Sequence, residues 1–491
     1  MTTPEVLPAR PSTLVEIGSV MGASVAGRLL RFVKVLAVAR LLSPESYGAF
    51  GVLVVLINYA QFLELGCSTA AFRDLASAVG RADPREAWRA AGRMATLKLL
   101  AAALLGGAAL VAALSPGVPH VLRQALLALP AIALTSTLLS QVLLHLQAEG
   151  RARDYGRATV LAAASDLVLC VALTAFAGLP GLLLASALSP LGALAWAAGR
   201  RALARPRSID RQTMRRYLGT GLPLAAIALV DQSLLSVDQL LVMGLLSLRD
   251  LGLYNVAFVL AEAVRTLGTA AATVLGPRLL REHARAGGRL EAIRRHTLQP
   301  VLVYARALPL PIALLWIGGG FALARFYPAY AEAVAPMQVL LVASGFLVVL
   351  GGVTTFLFAI DKHPRNLLFV TPALVLNVAI DLVLLRLGWG LMAIAVGSLV
   401  TYFVYAAAVL WYVSGHFDLA RAPRLRFLAG ALLPGVLLGL ALGVLERLVP
   451  YRASAAATAA AGAVCVALLA PLALRARALA RQLDEPGSDH S

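Results

Sequence analysis

Apolar residues in this chain come in blocks rather than in alternation. Stretches of roughly 18–25 mostly apolar residues recur, separated by short joints rich in arginine, glycine and proline. They fall near 15–41, 47–71, 94–114, 121–146, 158–177, 180–199, 218–245, 252–275, 298–319, 335–360, 367–386, 390–413, 427–445 and 453–474. Each block can cross a hydrocarbon core about 30 Å thick as a helix. Unpaired backbone groups cannot face lipid, and the period-2 pattern of barrel strands is missing, so every block is expected to be a helix. The pattern predicts an all-α integral membrane protein with about fourteen transmembrane helices.

The joints assign an orientation. Arg73, Arg81, Arg85, Arg89 and Arg93 follow the second block, Arg151, Arg153 and Arg157 the fourth, and Arg200, Arg201, Arg205, Arg207, Arg211, Arg215 and Arg216 the sixth. Arg278, Arg281, Arg285, Arg289, Arg294 and Arg295 follow the eighth, Lys362 and Arg365 the tenth, and Arg421, Arg424 and Arg426 the twelfth. The intervening joints carry one or two cations each, such as Arg40, Arg123 and Arg249. By the positive-inside rule both termini are expected in the cytoplasm, as tails at 1–13 and 476–491. The N-terminal tail lacks the layout of a cleaved signal peptide, so the first helix is expected to serve as the targeting segment.

The chain also repeats itself. Leu41-Leu42-Ser43-Pro44-Glu45-Ser46-Tyr47-Gly48 has a counterpart 204 residues on, in Leu245-Leu246-Ser247-Leu248-Arg249-Asp250-Leu251-Gly252. The same interval pairs Arg81 with Arg285 and Arg85 with Arg289, and the joint Gly178–Leu182 resembles Gly388–Leu391. An N-lobe (14–206, helices 1–6) and a C-lobe (207–415, helices 7–12) are therefore expected. They should be pseudo-symmetric about the membrane normal, with a central cavity between them, and helices 13–14 (416–475) should be an addition.

Composition agrees. Sixty per cent of the 491 residues are hydrophobic and only 14% are charged, against about a quarter charged in soluble chains. The formal charge of +18 is almost all arginine. With no nucleic-acid-binding module and no basic-aromatic strand pattern, a nucleic-acid partner is not expected. Cys67, Cys170 and Cys465 lie inside apolar blocks at no metal-binding spacing and read as small hydrophobes.

The joint Arg40-Leu41-Leu42-Ser43-Pro44-Glu45-Ser46-Tyr47-Gly48-Ala49-Phe50 resembles the opening of bacterial polysaccharide flippases. These belong to the multidrug/oligosaccharidyl-lipid/polysaccharide exporter superfamily. Leu146-Gln147-Ala148-Glu149-Gly150-Arg151 is similar to that family's joint between helices 4 and 5. Leu376-Asn377-Val378-Ala379-Ile380-Asp381 with Gly388-Trp389-Gly390-Leu391 is similar to its helix 11–12 pattern, with an Asp where a second Asn is usual. The resemblance runs from about 14 to 415. It implies two six-helix lobes, alternating access, and a lipid-linked oligosaccharide held by a polyprenyl diphosphate as cargo. It also implies a bacterial cytoplasmic membrane, a monomer, and a polysaccharide polymerase and glycosyltransferases as pathway neighbours.

Charges inside the blocks are the candidate site. An arginine at mid-bilayer costs about 2.5–3.5 kcal/mol on insertion scales. Arg28, Arg31 and Lys34 on helix 1 must therefore line a polar cavity, pair with carboxylates, or snorkel to an interface. On the functional reading they receive the cargo diphosphate. Asp231 and Asp238 on helix 7, seven residues apart, would then take the cargo's place as a switch ion pair, driven by cargo or by an H+ or Na+ gradient. On the static reading the same charges hold the lobes in register. Weaker candidates are Glu64 on helix 2, Glu262 and Arg265 on helix 8, which can pair with each other, and Asp166 and Asp381 on helices 5 and 11. Lys98 and Arg306 lie where snorkelling serves equally well.

The scattered histidines form no metal pair, and no nucleophile elbow or phosphate-binding glycine loop is present, so no enzymatic activity and no cofactor are expected. The expected function is flipping of a lipid-linked oligosaccharide to the outer leaflet for cell-surface polysaccharide synthesis. A flippase for the peptidoglycan lipid precursor and a cation or drug antiporter of the same superfamily remain as alternatives.

Overall fold

The computed structural model describes residues 13–199, 203–285, 290–351 and 363–484, together with 353, 356, 357 and 360. Residues 1–12 and 485–491 of the expected tails, and Arg200, Arg201, Arg289 and Lys362 of the basic joints, lie outside the described residues. All regular structure among the described residues is helical.

The helices begin where the sequence caps them. α1 (Thr13–Leu41) ends before Ser43-Pro44, because proline cannot continue a helix. Ser43 Oγ then accepts from Ser46 N at 3.3 Å and Pro44 opens α2 (Pro44–Ala60). The expected second helix is not continuous. A 3-10 turn at Gln61–Glu64 leads into Leu65 (φ 49°) and Gly66 (φ 72°), and α3 (Cys67–Gly80) starts anew. Asp83 caps α4 (Pro84–Ala113) by accepting from Arg85 N and Glu86 N, both at 3.1 Å. α5 (His120–Ala148) and α6 (Ala152–Ala198) follow.

The turn between α5 and α6 is the joint resembling the flippase motif. Gly150 takes φ 69°, and Arg151 reaches back to Glu149 at 3.0 Å and forward to Asp154 at 2.8 Å. Burial alone would raise the Glu149 carboxyl, but His145 and Arg151 outweigh it and hold that carboxyl below its usual range. Within α6 the chain reverses at Gly178 (φ 60°, ψ −134°). Ser165 Oγ donates to Ser189 O at 2.7 Å across the two arms, so this 47-residue element makes the expected fifth and sixth crossings.

In the second half, α7 (Arg211–Leu245) is capped by Asp210, which accepts from Thr213 N at 2.8 Å. Ser247 and Asp250 cap each other's backbone N–H, both at 3.1 Å, to start α8 (Leu248–Arg285). α9 (Leu290–Ala307), α10 (Pro309–Leu314), a π turn and α11 (Gly320–Phe326) form one crossing broken by prolines and glycines. Then come α12 (Val334–Val349), α13 (Leu367–Arg386), α14 (Leu391–Ser414), α15 (Arg421–Leu448) and α16 (Ala455–Asp484), the last running into the expected C-terminal tail. Eleven helical segments among the described residues are long and apolar enough to cross a membrane. α1 and α8, lowered by their charged residues, complete the expected order.

The chain divides into two compact units. One holds the described residues up to Leu42 with Leu56–Ala225; the other holds Ser43–Val55 with Ala226 onward. In the first, α1 lies along α6, α4 packs on α5 and α5 on α6. Small residues let α3 and α4 close up, with Ala70, Ala71, Ala78, Ala90 and Ala91 around Leu75, Met94 and Tyr217. In the second, α12 packs on α8 and α14, α13 on α14, and α16 on α9. The start of α2 belongs here because it crosses the start of α8 backbone to backbone. A Cβ on Gly48 would lie 1.8 Å from Leu248 O, and one on Gly252 would lie 1.9 Å from Pro44 O. Gly48 and Gly252 stand 204 residues apart, as do Pro44 and Leu248. Large side chains point outward, Phe176 at 89% and Leu468 at 73% exposed, as on a surface that meets acyl chains instead of water.

Candidate functional site

The three α1 cations do not share one environment. Arg28 and Arg31 are exposed. Lys34 is paired, with Nζ 2.7 Å from Asp166 Oδ2 and the two side chains 16% and 20% exposed. Asp166 sits on the first arm of α6, where α1 packs, and accepts at Oδ1 from Ser189 Oγ and Cys170 Sγ, both at 3.2 Å. Lys34 thus has a carboxylate partner inside its own unit.

The α7 carboxylates also differ. Asp231 is half-buried, 3.5 Å from Asn366 Nδ2, and Asn366 Oδ1 accepts from Tyr405 OH at 3.1 Å. Asp238 is 1% exposed and accepts at Oδ2 from Tyr254 OH at 2.6 Å and from Ser398 Oγ. Next to Ser398, Gly397 brings α14 against a second buried carboxylate. A Cβ on Gly397 would lie 1.7 Å from Asp381 Oδ1. Asp381 Oδ2 accepts from Asn377 Nδ2 at 3.0 Å, one turn back on α13.

Two aspartates on different helices therefore share one buried spot with an asparagine and a serine. Oδ1 of Asp238, Oδ1 of Asp381 and Oδ1 of Asn377 are buried there with no hydrogen-bond partner, and Thr401 Oγ1, three residues after Ser398 on α14, is likewise buried without one. Among the described residues no cation forms an ion pair with either aspartate. Oxygen atoms shielded from water without a partner are costly, and two neighbouring carboxylates more so. The arrangement is suited to a proton or a small hard cation that prefers oxygen ligands.

Four of the other charged candidates resolve into two pairs. Lys98 Nζ lies 3.3 Å from Glu64 Oε1 with both side chains at most 10% exposed, so Lys98 is held inside and does not snorkel. Arg265 Nε lies 3.1 Å from Glu262 Oε2 one turn away, as their spacing allows. Arg306 is half-buried near the end of α9. Tyr254, Ser398 and Thr401 were not legible as site residues from sequence. The available signal was two small polar residues three apart in the otherwise apolar α14.

A family profile described as "Polysaccharide biosynthesis protein" matches residues 14–283. No curated protein sequence matches the chain. Among solved structures, a Lipid II flippase MurJ in an inward closed conformation aligns at TM-score 0.67 and 13% identity, over 92% of this chain and 98% of that one. An inward-facing multidrug resistance MATE family transporter of the MOP superfamily aligns at TM-score 0.62 and 16% identity, over 80% and 94%. A MOP superfamily transporter from Pyrococcus furiosus, described as having a binding pocket of reversed polarity, aligns at TM-score 0.57 and 17% identity, over 82% and 95%. At these identities the likenesses show a common fold. A profile matching more than half of the chain settles the assignment: the protein is a member of the polysaccharide biosynthesis protein family.

Proposed function

We propose that this protein flips a polyprenyl-diphosphate-linked oligosaccharide from the cytoplasmic to the outer leaflet of a bacterial cytoplasmic membrane, with both termini cytoplasmic. Membership of a polysaccharide biosynthesis family supports the cargo class. The observation that carries the site is the division of labour on α1. Lys34 is engaged with Asp166, while Arg28 and Arg31, about two turns and one turn earlier, are exposed. On a helix that must cross a bilayer, an exposed guanidinium such as that of Arg31 needs an anion or a watery path. A diphosphate supplies the anion, and arginine suits it as a planar, permanently charged donor. Asp238, Asn377 and Asp381 are the coupling element, taking up a proton or Na+ on each cycle. Asp231 acts as a secondary carboxylate on the same helix.

Charge reversal at Arg28 and Arg31 tests the reading. The double variant should insert and fold at wild-type levels but fail to restore surface polysaccharide to a deletion strain. Wild-type export by a well-expressed Arg28→Glu/Arg31→Glu protein would end the assignment. The fold likeness to a Lipid II flippase favours one second reading, a peptidoglycan precursor as cargo. Loss of the gene would then be lethal, whereas under the first reading it removes a polymer and leaves a lipid-linked intermediate on the cytoplasmic leaflet.

A further inference from the structure

Where α13 begins and α14 ends, the chain builds a second cationic site that the transport reading does not use. α14 runs out at Ser414 into a 3-10 turn at Gly415–Phe417, and α15 starts at Arg421. From the first turn of α15, Arg424 folds back onto α14. Its guanidinium carbon lies 3.9 Å from the Trp411 ring centroid, and its Nη2 donates to Trp411 O at 2.6 Å. Gly415 makes the room, since a Cβ there would lie 3.0 Å from that Nη2. The guanidinium is thus fixed in plane and position, and its Nε is shielded from water with no acceptor.

Beside it opens a cleft of about 510 Å³ lined by Arg424, Trp411, Tyr412, His416 and Phe369. The rings of Phe369 and His416 pack on Tyr412, with centroids 5.1 and 4.7 Å away. The Tyr412 hydroxyl in turn accepts from Arg365 Nη1 at 3.1 Å, which sets a second guanidinium at the rim. Neither arginine forms an ion pair with a carboxylate among the described residues; Asp418, six residues before Arg424, pairs with neither, and Asp361, four residues before Arg365, lies outside the described residues.

We propose that this cleft binds the headgroup phosphate of an anionic phospholipid, with Arg424 and Arg365 as its two cationic contacts. Two pre-placed guanidiniums with no carboxylate paired to them among the described residues call for an anion, and a phosphodiester matches their donor geometry. The surroundings favour a lipid over a soluble anion. Leu368 and Leu425, next in sequence to the cleft residues, are 69% and 58% exposed, which offers apolar surface to acyl chains beside the polar mouth. Trp411, Tyr412 and Phe369 form the kind of aromatic cluster that marks the membrane–water boundary. Arg365, Arg421, Arg424 and Arg426 belong to the joints expected on the cytoplasmic side, where basic pockets between helices select anionic headgroups.

The test uses the purified full-length protein in a neutral maltoside detergent. Thermal unfolding is followed while dioleoyl phosphatidylglycerol, dioleoyl phosphatidylcholine or inorganic phosphate is titrated in. Phosphatidylglycerol should raise the melting temperature saturably, and the other two should not at the same concentrations. Arg424→Gln and Arg365→Gln should each weaken half-saturation by about fivefold or more, and Arg424→Lys should recover only part of the loss. Equal protection by phosphatidylcholine, saturation by inorganic phosphate alone, or unchanged half-saturation in the variants would each overturn the proposal. If Arg424→Gln fails to fold because the end of α14 loses its cap, Arg365→Gln, on a different and exposed element, decides the matter alone.

Discussion

The sharpest separation between holding the fold and moving cargo lies along α1. Lys34 and Asp166 stand 2.7 Å apart at 16% and 20% exposure. At an effective dielectric of 20 the gross attraction at that distance is about 6 kcal/mol. Desolvation and the partial exposure of both groups offset much of it, leaving a net coupling of about 2–3 kcal/mol. Lys34→Met strands a carboxylate that keeps only the Ser189 hydroxyl and the Cys170 thiol, so it should cost about 3 kcal/mol. Asp166→Asn should cost about as much, and the double variant much less than the sum. Arg31→Gln, at an exposed position, should change stability by about 0.5 kcal/mol or less and yet abolish export. The assay pairs equilibrium unfolding in detergent with restoration of surface polysaccharide in a deletion strain. Additive losses at Lys34 and Asp166 would show that the pair is not a brace. A large loss of stability at Arg31 with export intact would invert the assignment.

Two further outcomes follow from the geometry. Gly252→Leu drives a side chain into the Pro44 carbonyl and should cost about 3 kcal/mol or sharply cut the folded yield, whereas Gly107→Ala, with open space around it, should be neutral or stabilising by up to about 1 kcal/mol; protease resistance in detergent distinguishes them. Glu149 is held below the usual carboxylate range, so its stabilising contribution is fully present above the ordinary value of about 4.3 and is lost as pH falls through its lowered value. Glu149→Gln should therefore lower the melting temperature at pH 7, by an amount equivalent to about 1 kcal/mol or less, and the gap to wild type should close toward pH 3.

The crossings were legible because lipid imposes so coarse a rule. A block of apolar residues long enough to span has only the helical solution, and among the described residues the expected blocks fall on helices, the second of them broken. The Ser43-Pro44 joint was equally plain, because a hydroxyl cap and an N1 proline act within four residues. The break at 61–66 was not. It rests partly on Leu65 at φ 49°, a conformation that a leucine does not announce. The site was legible residue by residue but not as contacts. Lys34 and Asp166 were both singled out, yet only the packing of α1 on α6 makes them partners across 132 residues of chain. Asp238 and Asp381 likewise stood out as charges in apolar blocks. That Gly397 would seat α14 against Asp381 while Ser398 bonds Asp238 depends on the hairpin between α13 and α14, which local pattern does not specify.

Lys34 and Asp238 stand 204 residues apart, and each meets a helical hairpin of its own unit, α6 for the first and α13–α14 for the second. At the first position the hairpin supplies one carboxylate and the helix supplies its ammonium counter-charge. At the second the helix supplies another carboxylate, so the charge is left to be balanced by whatever arrives. A balanced contact has no call for a further ion, while an unbalanced one does, so of these two positions the one in the second unit should be where added sodium or protons act. Asp238→Lys tests this by importing the first arrangement into the second, with the new ammonium facing Asp381. Wild-type protein should gain thermal stability with added sodium or with mild acid, and the Asp238→Lys variant should be folded but flat to both. The smaller Asp238→Asn variant controls for crowding by the longer side chain and should also lose most of the response. If either variant keeps the wild-type dependence, the aspartate cluster is a structural knot, and the coupling ion must be sought at Asp231.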